Sequence, residues 1–211
     1  LGATAPLNAM DTCVCMGASI SALHGFNKAR GMQERSVAVI GDSTFMHSGM
    51  TGLVNIGYNK GNSTVIILDN RITGMTGHQD NPTTGRTLKG DEVPQVNIEA
   101  VCRAAGIRRV QVVDPYDTVQ VEAVLKEELA SPEPSVIISR RPCVLLKSVP
   151  KKAPLVVDRD KCRSCKACFK IGCPSIHMED GKVAIDPTLC VGCGLCASLC
   201  PFHAIGPQEV R

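Results

Sequence analysis

The fold is decided by one stretch in which a strand-like run ends in a glycine followed by polar residues: Val37-Ala38-Val39-Ile40-Gly41-Asp42-Ser43-Thr44-Phe45-Met46-His47-Ser48-Gly49. A short run of β-branched and apolar residues of this kind is typical of a strand buried on both faces. A glycine at the strand end allows close approach of the backbone to a pyrophosphate, and the following helix start offers free N–H groups. The stretch therefore predicts a strand of a parallel sheet with a binding site at its carboxyl end.

The flanking segments repeat this alternation of strand-like and helical patterns. Strands are predicted at residues 37–40, 64–68, 110–113 and 136–139. Helices are predicted at residues 12–28, 49–60, 95–105 and 118–129. Short buried strands alternating with helices imply the α/β class, with a parallel sheet covered by helices on both faces.

The end of the second predicted strand supplies a partner for Asp42. Asn70 follows that strand 28 residues after Asp42, so both side chains are expected at the same edge of the sheet. Carboxylate and amide oxygens are the hard ligands that Mg²⁺ shares with phosphates. Taken alone, a Gly-Asp pair at a strand end also fits an aspartate that caps a turn.

The cysteines are concentrated at the C-terminal end, where eight of the twelve lie between Cys162 and Cys200. They form two runs that begin 28 residues apart, which indicates an internal duplication. In two-cluster ferredoxins the cysteine before a proline ligates the cluster of the other run. We therefore predict two [4Fe–4S] clusters, the first held by Cys162, Cys165, Cys168 and Cys200 and the second by Cys190, Cys193, Cys196 and Cys173.

Zinc and disulfides are the alternatives for these thiols. Structural zinc takes four ligands, usually as two Cys-x2-Cys pairs, and would leave the third cysteine of each triplet idle. The first run departs from the bacterial ferredoxin pattern, because four residues rather than three separate Cys168 from Cys173. Cys102 and Cys143 fit small core residues, whereas Cys13 and Cys15 fit either ordinary or redox-active thiols.

Composition excludes several classes of protein. The 211 residues carry 23 basic and 20 acidic side chains and 3% aromatics, which argues against a nucleic-acid partner. Apolar runs fall far short of a membrane span, and there is no secretory signal, so the cysteines predict a reducing, cytoplasmic location. Because the first residue is Leu1, we expect a processed chain or a fragment.

These motifs together resemble a known enzyme family. Asp42 and Asn70 are similar to the thiamine diphosphate motif, in which Gly-Asp-Gly precedes an asparagine by some thirty residues, although Ser43 replaces the second glycine. Residues 7–17, 41–49 and 69–79 resemble the 2-oxoacid:ferredoxin oxidoreductases of the indolepyruvate class, and residues 155–211 resemble two-cluster ferredoxins. The implied organisation is a thiamine diphosphate-binding domain over residues 1–146, a linker at 147–154 and a small α+β two-[4Fe–4S] ferredoxin-like domain over 155–211.

The resemblance also implies roles for individual residues. Asp42, the Asn70 side chain and the Ile72 carbonyl would hold Mg²⁺. His47 and Ser48 would lie near the thiazolium as catalytic candidates, although His47 fits a structural role as well. The residues implied to bind the cofactor are Met16, Gly17, Gly41, Asp42, Ser43, Thr44, Asn70, Ile72, Thr76 and Gly77.

The implied activity is oxidative decarboxylation of an arylpyruvate with coenzyme A, with electrons passed through the clusters to an external ferredoxin. The family implies a β subunit and an activating glutamate from another domain, so we expect the 211 residues alone to be inactive. Two other readings stay open. One is a non-enzymatic iron–sulfur electron-transfer subunit, and the other is a non-oxidative thiamine-dependent 2-oxoacid decarboxylase.

Overall fold

A computed structural model describes residues 2–31 and 35–208. The chain divides into two compact units. One is Cys13–Leu146, and the other combines Lys147–Arg211 with the first twelve residues, which the sequence assigned to the first domain. Leu7 lies beside Gly172, which ties the N-terminal residues to the second unit. Among the described residues, no helix combines the length and the apolar character that crossing a membrane requires.

The first unit contains a four-stranded sheet. Its strands are β1 (Val37–Gly41), β2 (Thr64–Asp69), β3 (Arg109–Val113) and β4 (Ser135–Arg140). Their order is β1-β2-β4-β3, and every pairing is parallel. The predicted α/β class with a parallel sheet is confirmed, and all strand carboxyl ends meet at one edge.

Among the described residues of this unit, five helices accompany the sheet: α1 (Ala18–Arg30), α2 (Asp42–Thr44), α3 (Met50–Tyr58), α4 (Ile98–Ala104) and α5 (Thr118–Ala130). A π-helical turn (Phe45–Gly49) joins α2 to α3. α1 begins six residues later than predicted because Gly17 is left-handed, with φ of 89°. Asp117 caps α5, since its side chain accepts a hydrogen bond from the Gln120 N–H at 3.0 Å.

The hydrophobic core lies on one face of the sheet. Side chains of α1, α3 and α4 pack there against alternate strand residues, including Ile20, Leu53, Ile67 and Ile138, all fully buried. The opposite face carries α5 beside β3, while Val39 and Leu68 stay 50% and 45% exposed. Within the described residues, the sheet is therefore covered completely on one face and partly on the other.

The second unit is small and mixes short strands with single helical turns. β5 (Leu155–Val157) pairs with β8 (Ile205–Pro207), and β6 (Ile176–Glu179) pairs with β7 (Lys182–Ile185), both antiparallel. The hairpin of β6 and β7 turns at Asp180 and Gly181, whose φ angles of 47° and 74° are those of a type I′ turn. A 3₁₀ turn (Ala167–Ile171) contains Cys168 of the first thiol run, and α6 (Leu195–Ser198) contains Cys196 of the second. This arrangement confirms the predicted ferredoxin-like α+β domain.

Candidate functional site

Asp42 lies at the edge where the strands end, directly after Gly41 closes β1. Its side chain is buried, with the residue 2% exposed. Oδ1 accepts a hydrogen bond from the Ser43 N–H at 2.7 Å. Oδ2 accepts from the Arg71 N–H at 3.1 Å and from the Thr83 hydroxyl at 3.4 Å. The carboxylate is therefore fixed in orientation by three neutral donors.

No cationic side chain of the described residues lies within ion-pair distance of Asp42. Burial raises the pKa of this carboxyl above its ordinary value, and the nearby charge of Asp69 raises the pKa further. The N–H donors of Ser43 and Arg71 act in the opposite direction. A carboxylate accepts roughly four hydrogen bonds, so one acceptor position remains for a cation. A buried anion without a counter-charge favours a bound metal ion at this position.

Asn70 follows β2 and shapes the adjoining turn. Its side-chain Oδ1 accepts the Ile72 N–H at 3.1 Å, which leaves a second lone pair on that oxygen. Arg71, between them, has a left-handed φ of 62°, and this conformation directs its N–H at Asp42. The turn thus links the ends of β1 and β2, as the predicted magnesium site requires.

An ion-pair network that the sequence did not indicate lies next to the turn at residues 70–72. The buried Asp69 carboxylate contacts Arg140 Nε at 2.6 Å. Its other oxygen lies 3.1 Å from Arg71 Nε in ion-pair contact, without hydrogen-bond geometry. Arg140 also makes two 2.8 Å hydrogen bonds to the Glu99 carboxylate, and this pairing lowers the pKa of Glu99.

Thr83 and Asn81 are a second addition to the predicted site. Both are buried, and Asn81 Oδ1 accepts hydrogen bonds from the Thr83 N–H at 2.8 Å and its hydroxyl at 2.7 Å. The same hydroxyl reaches Asp42 Oδ2. The run Asn81-Pro82-Thr83-Thr84-Gly85 is a turn signal, but nothing local in it indicates a contact with a residue 41 positions away.

The segment around Gly17 reaches the helical run after β1. A Cβ built on Gly17 would lie 2.0 Å from Ser48 Oγ, so only glycine permits this approach. Ser48 lies in the π-helical turn and donates a hydrogen bond to the Thr44 carbonyl at 3.2 Å. The structure therefore brings Gly17 and Ser48, two of the predicted site residues, together. π-Helical turns are frequent at functional sites.

The other predicted residues occupy the same edge with different exposure. Met16 and His47 are exposed, whereas Thr44 and Ile72 are buried. Thr76 and Gly77 lie in an exposed loop closed by the bridge between Thr73 and Gln79, and that loop reaches Asn81 through the Thr73 hydroxyl at 3.4 Å. None of the described hydrogen bonds joins Met16, His47, Thr76 or Gly77 to Asp42.

The residues present fit a magnesium–diphosphate group. The donors are one buried carboxylate with a spare acceptor position, one amide oxygen and a main-chain carbonyl, which are hard oxygen ligands. A Cβ built on Gly41, at the end of β1, would meet nothing within 4 Å, so the backbone beside Asp42 is open to close approach by a diphosphate. Asp42, Asn70 and Ile72 would hold the ion, with Ser43 and Thr44 beside it.

The first thiol group of the second unit surrounds a cavity. Cys162, Cys165, Cys168 and Cys200 line it together with apolar side chains. Burial raises the pKa of Cys168, and the charges of the other three thiols raise it further. Burial also opposes ionisation of Cys162, but N–H donors of Val183 and Ser164 and the Lys182 ammonium bring its pKa below the ordinary value.

The second thiol group forms in the same way from the other run. Burial, followed by the charges of Cys193, Cys190 and Cys173, raises the pKa of Cys196 to about 11. Each group thus contains three thiols of one run and the proline-linked thiol of the other. Across residues 2–31 and 35–208, no three His, Cys, Asp or Glu side chains converge on a single-ion site. Cys102 belongs to neither group and is fully buried in the core of the first unit.

The comparisons with known proteins agree with both units. Residues 2–139 match the family described as thiamine pyrophosphate enzyme, C-terminal TPP-binding domain, where thiamine pyrophosphate is another name for thiamine diphosphate. Residues 183–206 match the 4Fe-4S binding domain. The chain therefore belongs to the thiamine pyrophosphate enzyme family and carries a 4Fe–4S domain.

Within this class, the chain is similar to the indolepyruvate oxidoreductase subunit IorA. It is 41% identical to IorA of Pyrococcus horikoshii across 100% of this chain and 35% of that protein. For IorA of Methanothermobacter marburgensis, identity is 38% across 100% of this chain and 34% of that protein. The chain spans about a third of the length of these curated relatives. The resemblance predicted from the sequence is confirmed.

A solved structure shares the fold at low identity. It is the 2-oxoglutarate:ferredoxin oxidoreductase from Magnetococcus marinus with 2-oxoglutarate, coenzyme A and succinyl-CoA bound. Its TM-score is 0.54 at 17% identity, and the match covers 64% of this chain and 48% of that one.

Proposed function

We propose that this chain is part of an enzyme that oxidatively decarboxylates arylpyruvates of the indolepyruvate class with coenzyme A. The products are aryl-acetyl-CoA, CO₂, one proton and two electrons, which two [4Fe–4S] clusters pass singly to ferredoxin. One observation carries the proposal: a single chain combines a buried, cation-free carboxylate at a thiamine-family site with two crossed groups of four thiols. The names of the IorA relatives support the substrate class.

Thiamine diphosphate supplies the carbanion chemistry that cleaves the carboxylate from a 2-oxoacid. The chain's own residues hold and orient it. Asp42 binds Mg²⁺ through its spare acceptor position, and Asn70 and Ile72 supply neutral oxygens. By the family resemblance, Ser43, Thr44, Thr76 and Gly77 would bind the diphosphate. Gly17 brings the preceding backbone against Ser48, which closes one border of the site.

His47 is the proposed proton-handling group beside Ser48. Its side chain is exposed at the π-helical turn, where a substrate carboxylate or a solvent proton can reach it. Ser48 is oriented by its hydrogen bond to the Thr44 carbonyl. Met16, also exposed, lies at the same border. These positions suit substrate binding, whereas the buried Asp42 suits the metal.

The complete enzyme includes parts outside these residues. By the family resemblance, an activating glutamate comes from another domain and a β subunit joins the complex. We therefore propose that the 211 residues alone have no turnover. Turnover by the isolated chain would contradict this division of the active site.

The test uses the complete anaerobic complex with an arylpyruvate, coenzyme A, Mg²⁺ and thiamine diphosphate. Reduction of a low-potential dye coupled to CO₂ release supports the proposal. Aldehyde release with the dye left oxidised would identify a non-oxidative decarboxylase instead. Clusters without cofactor binding, measured by titrating thiamine diphosphate into the wild type and Asp42→Ala, would identify an electron-transfer subunit.

A further inference from the structure

The two thiol runs differ sharply in charge. Three cationic residues lie in or directly after the first triplet of cysteines: Arg163, Lys166 and Lys170. The second run, residues 190–200, contains no charged residue. The duplication therefore conserves the thiol spacing, but only the first run carries cationic residues within it. Beside the second run, Lys152 of the preceding segment lies against Gly192.

The three cations are exposed and form no ion pair with the described residues. Neighbouring cations differ in this respect, because Arg159 contacts Glu179 at 3.3 Å and Lys161 contacts Asp158 at 3.3 Å. The charge of Arg163, Lys166 and Lys170 is thus not neutralised within the unit. We call these three residues the basic face.

The basic face lies over the first thiol group. Arg163 and Lys166 line the same cavity as the four thiols, and Cys165 between them is exposed. Lys182 adds a further cation, with its Nζ 2.7 Å from the Cys162 carbonyl. A cluster held here would approach the solvent beside Arg163, Lys166 and the exposed Cys165.

We propose that the electron acceptor is an acidic one-electron carrier protein that docks on the basic face, so that the cluster held by Cys162, Cys165, Cys168 and Cys200 is the exit site. This inference rests on the proposed function. One electron passes per encounter: the donor cluster is oxidised, the carrier is reduced, and no bond or proton is exchanged. Electron-transfer encounters bury little area, so complementary charge governs their rate and orientation.

An anionic membrane is a less suitable occupant of the same face. Lipid-binding clusters usually contain about four to eight cations. This face presents three exposed ones, because the half-buried Lys182 ammonium donates to the Cys162 carbonyl. The exposed Cys165 at its centre matches an acceptor that must come close to the cluster. Protein docking therefore accounts for both the charge and the position.

The test compares two double variants of the complete complex that change charge equally. Arg163→Glu with Lys166→Glu reverses the basic face. Arg108→Glu with Lys126→Glu is the matched control, because those side chains are 84% and 75% exposed on the other unit. The probe is an acidic two-cluster ferredoxin of known sequence. Its binding is measured without substrate and its reduction with an arylpyruvate, at salt concentrations from 0.01 to 1 M.

Reversal of the basic face should slow ferredoxin reduction and weaken binding about tenfold at low salt. The difference should fall within about twofold at 1 M salt, where the Debye length is near 3 Å. Ferredoxin reduction is expressed relative to the reduction of a small uncharged dye by the same variant, so that any change in cluster content cancels. The control should lose less than about twofold in ferredoxin binding at any salt.

Equal losses in both double variants, or a loss independent of salt, would overturn the docking proposal. Binding of phosphatidylserine vesicles, but not of ferredoxin, to the wild-type face would overturn it in favour of a membrane. If the wild-type complex reduces no dye with any arylpyruvate, the proposed function fails instead, so the two failures are distinguishable.

Discussion

Asp42→Asn is the sharpest perturbation of the proposed magnesium site. The substitution keeps the shape of the side chain and removes its charge. Asp42 supplies the only charge among the three proposed ligands, since Asn70 and Ile72 offer neutral oxygens. Even ligand-orienting residues change metal affinity by about 10–100-fold. Loss of the sole anionic ligand should therefore weaken Mg²⁺–thiamine diphosphate binding at least about 100-fold, or roughly 2.7 kcal/mol.

The assay is calorimetric titration of thiamine diphosphate into the complete complex at fixed Mg²⁺. Asp114→Asn is the control, because Asp114 also follows a strand of this sheet but pairs with Arg141 rather than facing Asp42. The control should bind within about threefold of the wild type. An Asp42→Asn complex that also bound within threefold would refute the assignment of the metal ligand.

The same carboxyl predicts a pH dependence with a definite sign. Its folded-state pKa is raised above the ordinary value of 3.8, so the native apoprotein binds this proton more readily than the unfolded chain does. As pH falls through the raised pKa towards 3.8, protonation of the native carboxyl removes the destabilising effect of its buried charge. The free energy of unfolding therefore increases over this window. Mg²⁺ affinity should fall over the same window. Both trends are measured as differences between the wild type and Asp42→Asn, because other carboxyls titrate there too.

Three further predictions concern the backbone, a buried ion pair and the thiols. Gly17→Ala should weaken thiamine diphosphate binding about tenfold, as measured by calorimetry. The control Gly90→Ala should leave binding unchanged, because Gly90 has a similar φ of 92° but a Cβ there would meet no atom within 4 Å. Arg109→Met leaves Glu128, which is 0% exposed, without its partner and should lower the urea-derived unfolding free energy by about 3 kcal/mol. Arg108→Met, one residue earlier and 84% exposed, should change it by less than about 0.5 kcal/mol. Cys200→Ala should reduce iron from about eight atoms per chain to fewer than about four, because loss of the first cluster also weakens the second, whereas Cys143→Ala should leave iron content unchanged.

The strands and the outline of the site follow from local sequence pattern. Each predicted strand is present within one or two residues, because short β-branched runs bounded by polar residues are a strong signal. The proximity of Asp42 to the turn at Asn70 also follows, because parallel strands place their carboxyl ends at one edge.

The supporting contacts do not follow from local pattern. Asp69 meets Arg140, 71 positions away, only because β4 lies between β2 and β3. That strand order depends on packing of the whole unit, and the residues of β2 and β4 alone do not indicate it. The π-helical turn is likewise hidden, since its extra residue departs from the 3.6-residue period on which helix prediction depends.

The crossed grouping of the thiols has a consequence for iron supply in the cell. Cys200 lies with the first group and Cys173 with the second, so each site needs both halves of the duplicated segment in place. Loss of the first cluster releases Cys200, which belongs to the run that holds the second cluster, and loss of the second cluster releases Cys173 of the first run. We expect loading to be nearly all-or-none: under iron limitation, molecules with two clusters and molecules with none should predominate over half-loaded ones. Native mass spectrometry of anaerobic samples at limiting iron would measure these populations.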